Sequence, residues 1–188
     1  MDFRDAFFCI IILMLLPAFG NAQDNNEARH RINLEIPEVA LLSLISENGN
    51  NIRLQAISPT EAGSPIQNSN SQDENLWLNY SSIIINKNHS RKIVAMVQGE
   101  IPDGVQIKLE ASEATGIGKG KKGTPAGTVT LSNKPSEIIV GIGSCYTGKG
   151  INNGHYLTYK LEIDENQYSQ LSNQIGALDI VYTLTDQN

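Results

Sequence analysis

The 188-residue sequence is short of cysteine, of basic charge and of long apolar stretches. Its two cysteines, Cys9 and Cys145, are too few for a disulfide framework. A formal net charge of −6 offers no basic face to a phosphate backbone, which excludes nucleic acid as a partner. The apolar run at 6–16 falls short of the roughly 20 residues that a membrane-spanning helix needs. No transmembrane segment is therefore predicted.

The apolar run instead has the layout of a secretory signal peptide. Pro17 ends it, and a small-x-small site at 20–22 stands just ahead of Gln23. We expect residues 1–22 to be removed and the protein to be exported to the periplasm, the cell surface or the extracellular space. Cys9 then leaves with the signal, so no intrachain disulfide is possible. A small, buried apolar role is predicted for Cys145.

Alternation of apolar and polar residues, the pattern of half-buried strands, recurs along the rest of the chain. It is clearest at 105–111, 157–163, 178–184 and 52–56, and weaker at 76–85, 92–98, 128–131 and 137–142. About eight such strands predict an all-β fold, an antiparallel immunoglobulin-like β-sandwich formed by one domain over 32–188. One short helical segment is predicted near 164–175.

Tight turns are predicted where Asn or Gly tolerates positive φ, at 48–49, 102–104 and 153–154. Hairpins are expected at these turns, because two-residue turns of this composition join paired strands. Two longer stretches, 58–75 and 112–127, are rich in small and polar residues and are predicted to be surface loops.

The segment that follows the signal differs from the rest of the chain. Residues 23–31 are polar and are predicted to form a flexible arm. Ile32, Leu34 and Ile36 then alternate with polar residues until Pro37 interrupts the pattern. This amphipathic strand has two interpretations: it is the first strand of the sandwich, or it is an assembly strand that completes another subunit.

No convergent set of catalytic residues is present, and the chain is predicted not to be an enzyme. The segment 118–123 fits the dinucleotide pattern G-x-G-x-x-G, but Pro125 and a β-type run follow where a helix N-terminus is required. His30, His89 and His155 lack the spacing of metal ligands. We therefore predict neither a cofactor nor a metal.

Lys119, Lys121 and Lys122 place three positive charges on the predicted Gly-rich loop of an acidic protein. A solvated surface loop is the simplest interpretation. The alternative is a ligand loop that acts with 144–154 and attracts an anionic glycan or another surface protein.

Several segments resemble small exported proteins of the Bacteroidota group. The resemblance is carried by the signal ending at Ala22, by IPEVALLSL at 36–44, and by GTVTLS, GIGSCYTGKG, NGHYLTYKLEI and DIVYTLTD in the C-terminal half. It implies an envelope β-sandwich rather than an activity. The chain is more loosely similar to secreted pilus subunits, whose final strand also alternates. The final strand of those subunits often carries a tyrosine near its end, whereas Tyr182 lies well inside the terminus here. The disulfide found in many such subunits is also missing.

These features predict an exported, non-enzymatic structural or assembly subunit of the bacterial cell envelope, fimbria-like or adhesive in character. Its partners would be copies of itself or other envelope proteins. The alternative is a secreted binding module that recognises a glycan or a surface protein through its Gly/Lys-rich loops.

Overall fold

The computed structural model describes residues 27–47, 49, 51–70, 76–173 and 176–187. Strands dominate this part of the chain, and its helical element is a 3-10 helix at Glu165–Gln170. The strands are β1 (Val39–Ile45), β2 (Ser69–Asn70), β3 (Trp77–Ile83), β4 (Ser90–Gln98), β5 (Val105–Ala111), β6 (Lys119–Pro125), β7 (Val129–Thr130), β8 (Ser136–Tyr146), β9 (His155–Ile163) and β10 (Asp179–Gln187). The predicted all-β, antiparallel fold is confirmed. The immunoglobulin-like sandwich stays a prediction, and the predicted signal peptide lies outside the described residues.

The chain divides into a unit that ends at Glu35 and a second unit that begins at Ile36 and carries all the named strands. Within the described part, the alternating segment 32–36 joins no strand ladder, and β1 begins only at Val39. The prediction that this segment is the first strand of the sandwich is therefore wrong. The physical reason is Pro37, which lacks an N–H group and separates the alternating run from the ladder.

Strand β8 is the centre of the larger sheet. β6 pairs with one of its edges, while β3 and β4 both pair with the other edge. Ser82 of β3 lies opposite Cys145, and Arg91 of β4 lies opposite Ile142, so β3 and β4 run end to end in the same direction. Residues 84–89 form a short excursion between them.

The next position in this sheet is also filled by two strands placed end to end. β1 pairs with β3, with Val39 opposite Ile83, and β10 pairs with β4, with Gln187 opposite Ser90. The first and last strands of the described chain therefore follow one another along the same edge of the sheet.

A second group of strands is built around β9. β5 pairs with most of one edge of β9, while β2 and the start of β3 pair with the other edge. β7 pairs with β5. Beyond β7, Leu131 N–H donates to Ile107 O and Val97 N–H donates to Ser132 O, each at 2.8 Å. Strand β3 and the segment after β7 thus both connect this group to the larger sheet.

Side chains from both groups of strands form one hydrophobic core. The alternation predicted for β5 and β9 is confirmed, since Ile107, Leu109, Leu157 and Tyr159 are buried while Glu110 is exposed. The fully buried centre consists of Leu76, Leu78, Ile93, Leu109, Leu131, Ile138, Ile139, Ile142 and Leu157.

The strand predicted at 52–56 is wrong, although its pattern of burial is right. Ile52 and Leu54 pack against the core, but the nearest β-type pairing is an isolated bridge between Ile57 and Gln67. Alternation reports which side chains are buried and carries no information about backbone partners. The bridge and β2 also show that the predicted 58–75 loop contains short paired elements.

The turns at 102–104 and 153–154 are present, but they do not form hairpins. Val105 N–H donates to Pro102 O at 3.2 Å, and Gly104 adopts a φ of +76°. This turn connects β4 to β5, which do not pair with each other, and the second turn leads into β9, which does not pair with β8. In both cases the chain crosses from one group of strands to the other.

The predicted helical segment near 164–175 is confirmed as the 3-10 helix. Asp164 caps its start, because the Asp164 carboxylate accepts a hydrogen bond of 3.0 Å from Asn166 N–H. The helix buries no residue and ends before Leu171.

A buried arginine lies where the start of β1 meets the end of β10. Arg91 is 4% exposed, and its guanidinium donates to Glu38, to Val39 O and, at 3.2 Å each, to Asp186 and Ser82 Oγ. Glu38 and Val39 lie at the start of β1, whereas Asp186 lies near the end of β10. A single side chain of β4 therefore binds both strands.

We predict that Arg91→Leu lowers the free energy of unfolding by about 2–4 kcal/mol, because several charge-assisted hydrogen bonds are lost at a buried position. Lys92→Leu is the matched control, since Lys92 is the next residue of β4 and forms a partly exposed ion pair with Glu137 at 2.7 Å. Its cost should stay below about 1 kcal/mol. Denaturant unfolding measures both variants, and equal losses would contradict the role assigned to Arg91.

Candidate functional site

The Gly/Lys-rich segment is a strand rather than a flexible loop. β6 pairs with β8 from Lys119 opposite Tyr146 to Pro125 opposite Ile139, so the predicted 112–127 loop is corrected here. Glycine permits this pairing: a Cβ atom on Gly120 would lie 2.3 Å from Ser144 O. Glycine-rich sequence usually predicts a loop, but here the glycines allow two backbones to approach closely.

The pairing separates the three candidate lysines. Lys119 and Lys121 are exposed, whereas Lys122 is half-buried opposite the core residue Ile142. A register shift lies between Gly120 and Lys122. None of the three lysines forms an ion pair with another residue of the described part.

Lys119 belongs to a row of side chains that crosses four strands. Leu41 of β1 lies opposite Ser81 of β3, Ser81 lies opposite Tyr146 of β8, and Tyr146 lies opposite Lys119. Residues directly opposite one another share a face of the sheet. Leu41 and Tyr146 are 66% and 48% exposed. We call these four residues the Tyr146 row.

A loop packs beside the Tyr146 row. The Asn153 side chain donates to Lys149 O at 2.9 Å and to Ile151 O at 3.1 Å, and its Oδ1 accepts from Ile117 N–H at 3.2 Å. The two stretches predicted as ligand loops, 112–127 and 144–154, are thus brought together. The second stretch is a loop only after β8 ends at Tyr146.

Beneath this region lies a buried chain of hydrogen bonds. The Tyr80 hydroxyl bonds to Lys122 O and lies 2.8 Å from His155 Nε2, while His155 Nδ1 lies 2.7 Å from Ser112 O. A carbonyl oxygen only accepts, so neutral imidazole carries its proton on Nδ1 and accepts at Nε2. The Tyr80 hydrogen is then shared between His155 Nε2 and Lys122 O.

This chain of hydrogen bonds joins segments of the protein and offers no group to a ligand, because His155 is 0% exposed. It links the backbone at Ser112 and Lys122 to Tyr80 of β3 and His155 of β9. Burial lowers the pKa of His155, and the hydrogen bond to Ser112 acts in the opposite direction. Desolvation therefore holds the imidazole in its neutral form.

Cys145 belongs to the same buried region, in accord with its predicted role. Its thiol is free, and burial raises the pKa of this thiol to about 11, against the opposing effect of the Lys122 charge. A protonated, buried thiol is a poor nucleophile.

The predicted assembly strand carries no buried residue. Ile32, Leu34 and Ile36 are all exposed, and the whole range 27–38 is exposed. Lys119 and Tyr146 lie in the stretches predicted as ligand loops, whereas no role is predicted from the sequence for Leu41 and Ser81 of the Tyr146 row. The alternation of buried Cys145 with exposed Tyr146 was the available signal. No pattern in the sequence indicates that Tyr80 bonds to His155, since 75 positions separate the two residues.

The described residues hold neither a metal-binding cluster nor a membrane-spanning helix. No group of three or more His, Cys, Asp or Glu side chains is placed to hold a metal ion. No helix among them is long and apolar enough to cross a membrane.

Comparison of the chain with protein-family profiles, curated proteins and solved structures found no match.

The buried imidazole predicts a dependence of stability on pH. Because the pKa of folded His155 lies below the ordinary value near 6.5, its stabilising contribution is present above pH 6.5 and is lost as the pH falls. Urea unfolding between pH 7.5 and 5 should show this loss. His155→Gln should reduce the slope, whereas His89→Gln, at an exposed position, should leave it unchanged. An unchanged slope in His155→Gln would contradict the assignment.

Proposed function

We propose that the protein is an exported, non-enzymatic structural subunit of a bacterial envelope assembly, and that it associates through the segment 32–36. The observation that supports this proposal is the exposure of the alternating row: Ile32, Leu34 and Ile36 are 68%, 89% and 79% exposed. Burying such a side chain yields about 1.5–3 kcal/mol. A contiguous exposed apolar row marks an interaction site more strongly than scattered apolar residues do.

The form of the segment favours addition to a β-sheet over other kinds of docking. In a strand, residues at i, i+2 and i+4 share one face, so the three apolar side chains would lie together on one side of an extended arm. Asn33 and Glu35 would lie on the other side. An extended peptide of this kind adds to a free sheet edge through main-chain hydrogen bonds and inserts alternate side chains.

We predict that Leu34→Lys weakens self-association of the full chain about tenfold or more, because the apolar face of the arm would then carry a charge. The matched control is Asn33→Lys, which adds the same charge to the opposite face and should have little effect. Sedimentation velocity across a concentration series measures both variants. Because Leu34 is exposed and contributes little to folding, its substitution tests association without disturbing the fold. A wild-type protein that stays monomeric throughout the series would refute the proposal.

A second function, binding of an anionic glycan, is favoured by the Tyr146 row. An exposed aromatic ring offers a flat apolar surface, and Lys119 stands directly opposite it, with Lys121 exposed on the same strand. Neither lysine is neutralised by an ion pair within the described part. Positive charge on an acidic protein would attract anionic groups selectively.

This second function predicts retention on dextran sulfate, but not on uncharged dextran. The double variant Lys119→Glu with Lys121→Glu should elute at clearly lower salt, since the attraction is electrostatic and screened by salt. The control is Lys87→Glu with Lys134→Glu, which has the same net charge change at exposed sites elsewhere. Equal shifts in both variants would show a net-charge effect and would refute binding at the Tyr146 row.

A further inference from the structure

We infer that the acceptor for the 32–36 segment is the free edge of β10 in a second copy of the chain, and that the added strand runs antiparallel to β10. This inference rests on the proposed function, because it names the surface to which the arm would bind.

The apolar residues on the core side of β10 are incompletely covered. Ile180, Tyr182 and Leu184 point toward the core and are half-buried. Their neighbours on β4, which lie opposite them in register, are far better covered: Val97, Ala95 and Ile93 are 2%, 0% and 0% exposed. Burial of the core-side residues therefore decreases from β4 to β10. One more strand beside β10 would cover Ile180, Tyr182 and Leu184.

The spacing of the two rows matches. Ile180, Tyr182 and Leu184 occupy every second position of β10, as the three apolar residues do in the 32–36 segment. An antiparallel register that places Leu34 opposite Tyr182 also places Ile36 opposite Ile180 and Ile32 opposite Leu184. All three apolar pairs then lie on the core side of the sheet.

At one end of this register basic residues would face an acid, the Asp186 carboxylate that also binds Arg91. His30 would lie opposite Asp186, with Arg29 and Arg31 on either side. At the other end Pro37 would lie opposite Asp179, where its missing N–H ends the ladder without leaving a donor unpaired.

The other edges of the described strands are less suitable. β6 carries Lys119, Lys121, Lys122 and Pro125, the residue types with which natural proteins protect an edge from further pairing. β2 and β7 have two residues each. β1 directs two apolar residues to the core, Leu42 and Leu44, and it continues from the arm of its own chain. β10 has no Lys, Arg or Pro.

The antiparallel register cannot form within one chain. β1 begins beside the end of β10, because Arg91 contacts both Val39 O and Asp186. Three peptide steps from Ile36 to Val39 reach at most about 11 Å. The position opposite Ile180 lies seven residues back along β10, a distance of about 24 Å. The donor must therefore come from another copy.

A complementation experiment with two full-length variants tests the inference. The edge variant, Thr183→Lys with Thr185→Lys, changes two exposed positions of β10 and sets a positive charge opposite Arg31. The arm variant is Leu34→Lys. For each variant alone, the dissociation constant of self-association should be about tenfold higher than that of the wild type. Mixed together, they should form one-to-one complexes, because the edge variant keeps its arm and the arm variant keeps its edge. Native mass spectrometry with distinguishable mass tags reads out the composition.

The outcomes separate this inference from the function on which it rests. Thr124→Lys with Thr130→Lys, on β6 and β7, is the control and should assemble like the wild type. An edge variant that assembles normally, a control that fails equally, or a mixture without complexes would overturn the β10 site while leaving arm-mediated assembly intact. An arm variant that assembles normally would overturn both.

Discussion

The relative position of the first and last strands, β1 and β10, depends on one buried cation. Arg91 is held inside the sheet by backbone oxygens and by two carboxylates that are themselves partly exposed, Glu38 and Asp186. Burying a guanidinium is costly unless its donors are all used, so the strands that supply the acceptors must both be in place. This requirement ties the start of β1 to the end of β10.

End-to-end strands explain why the fold contains few local contacts. β3 and β4 share one edge of β8, β1 and β10 follow each other at the next position, and no two consecutive strands of the described chain pair with each other. Closing such long loops costs chain entropy before any contact stabilises them. Folding should therefore be slow for a chain of this size, as expected for all-β proteins with non-local pairing.

The sequence predicted which side chains are buried, but it did not predict which strands pair with each other. Alternation at 105–111 and 157–163 identified the buried side chains, and it did so even at 52–56, where no ladder forms. Pairing was not predictable because every register joins distant segments, as with Lys119 and Tyr146. The hairpin predicted at 102–104 is wrong for the same reason. Gly104 bends the chain, but its two flanking strands belong to different groups. The Gly/Lys-rich strand escaped detection because glycine is depleted from strands in general and is tolerated only where backbones come close.

The two proposed functions use different surfaces of the same sheet. Strand addition would extend the sheet at the β10 edge, whereas the Tyr146 row lies on a face formed by β1, β3, β8 and β6. An added strand at that edge forms its hydrogen bonds in the plane of the sheet and does not cover the face. Assembly of copies would therefore repeat the row at regular intervals, and weak binding of a polymeric glycan at each row would be multiplied along the assembly. The arm and the row are then not rival explanations: an adhesive fibre would use the first to build the polymer and the second to hold its target.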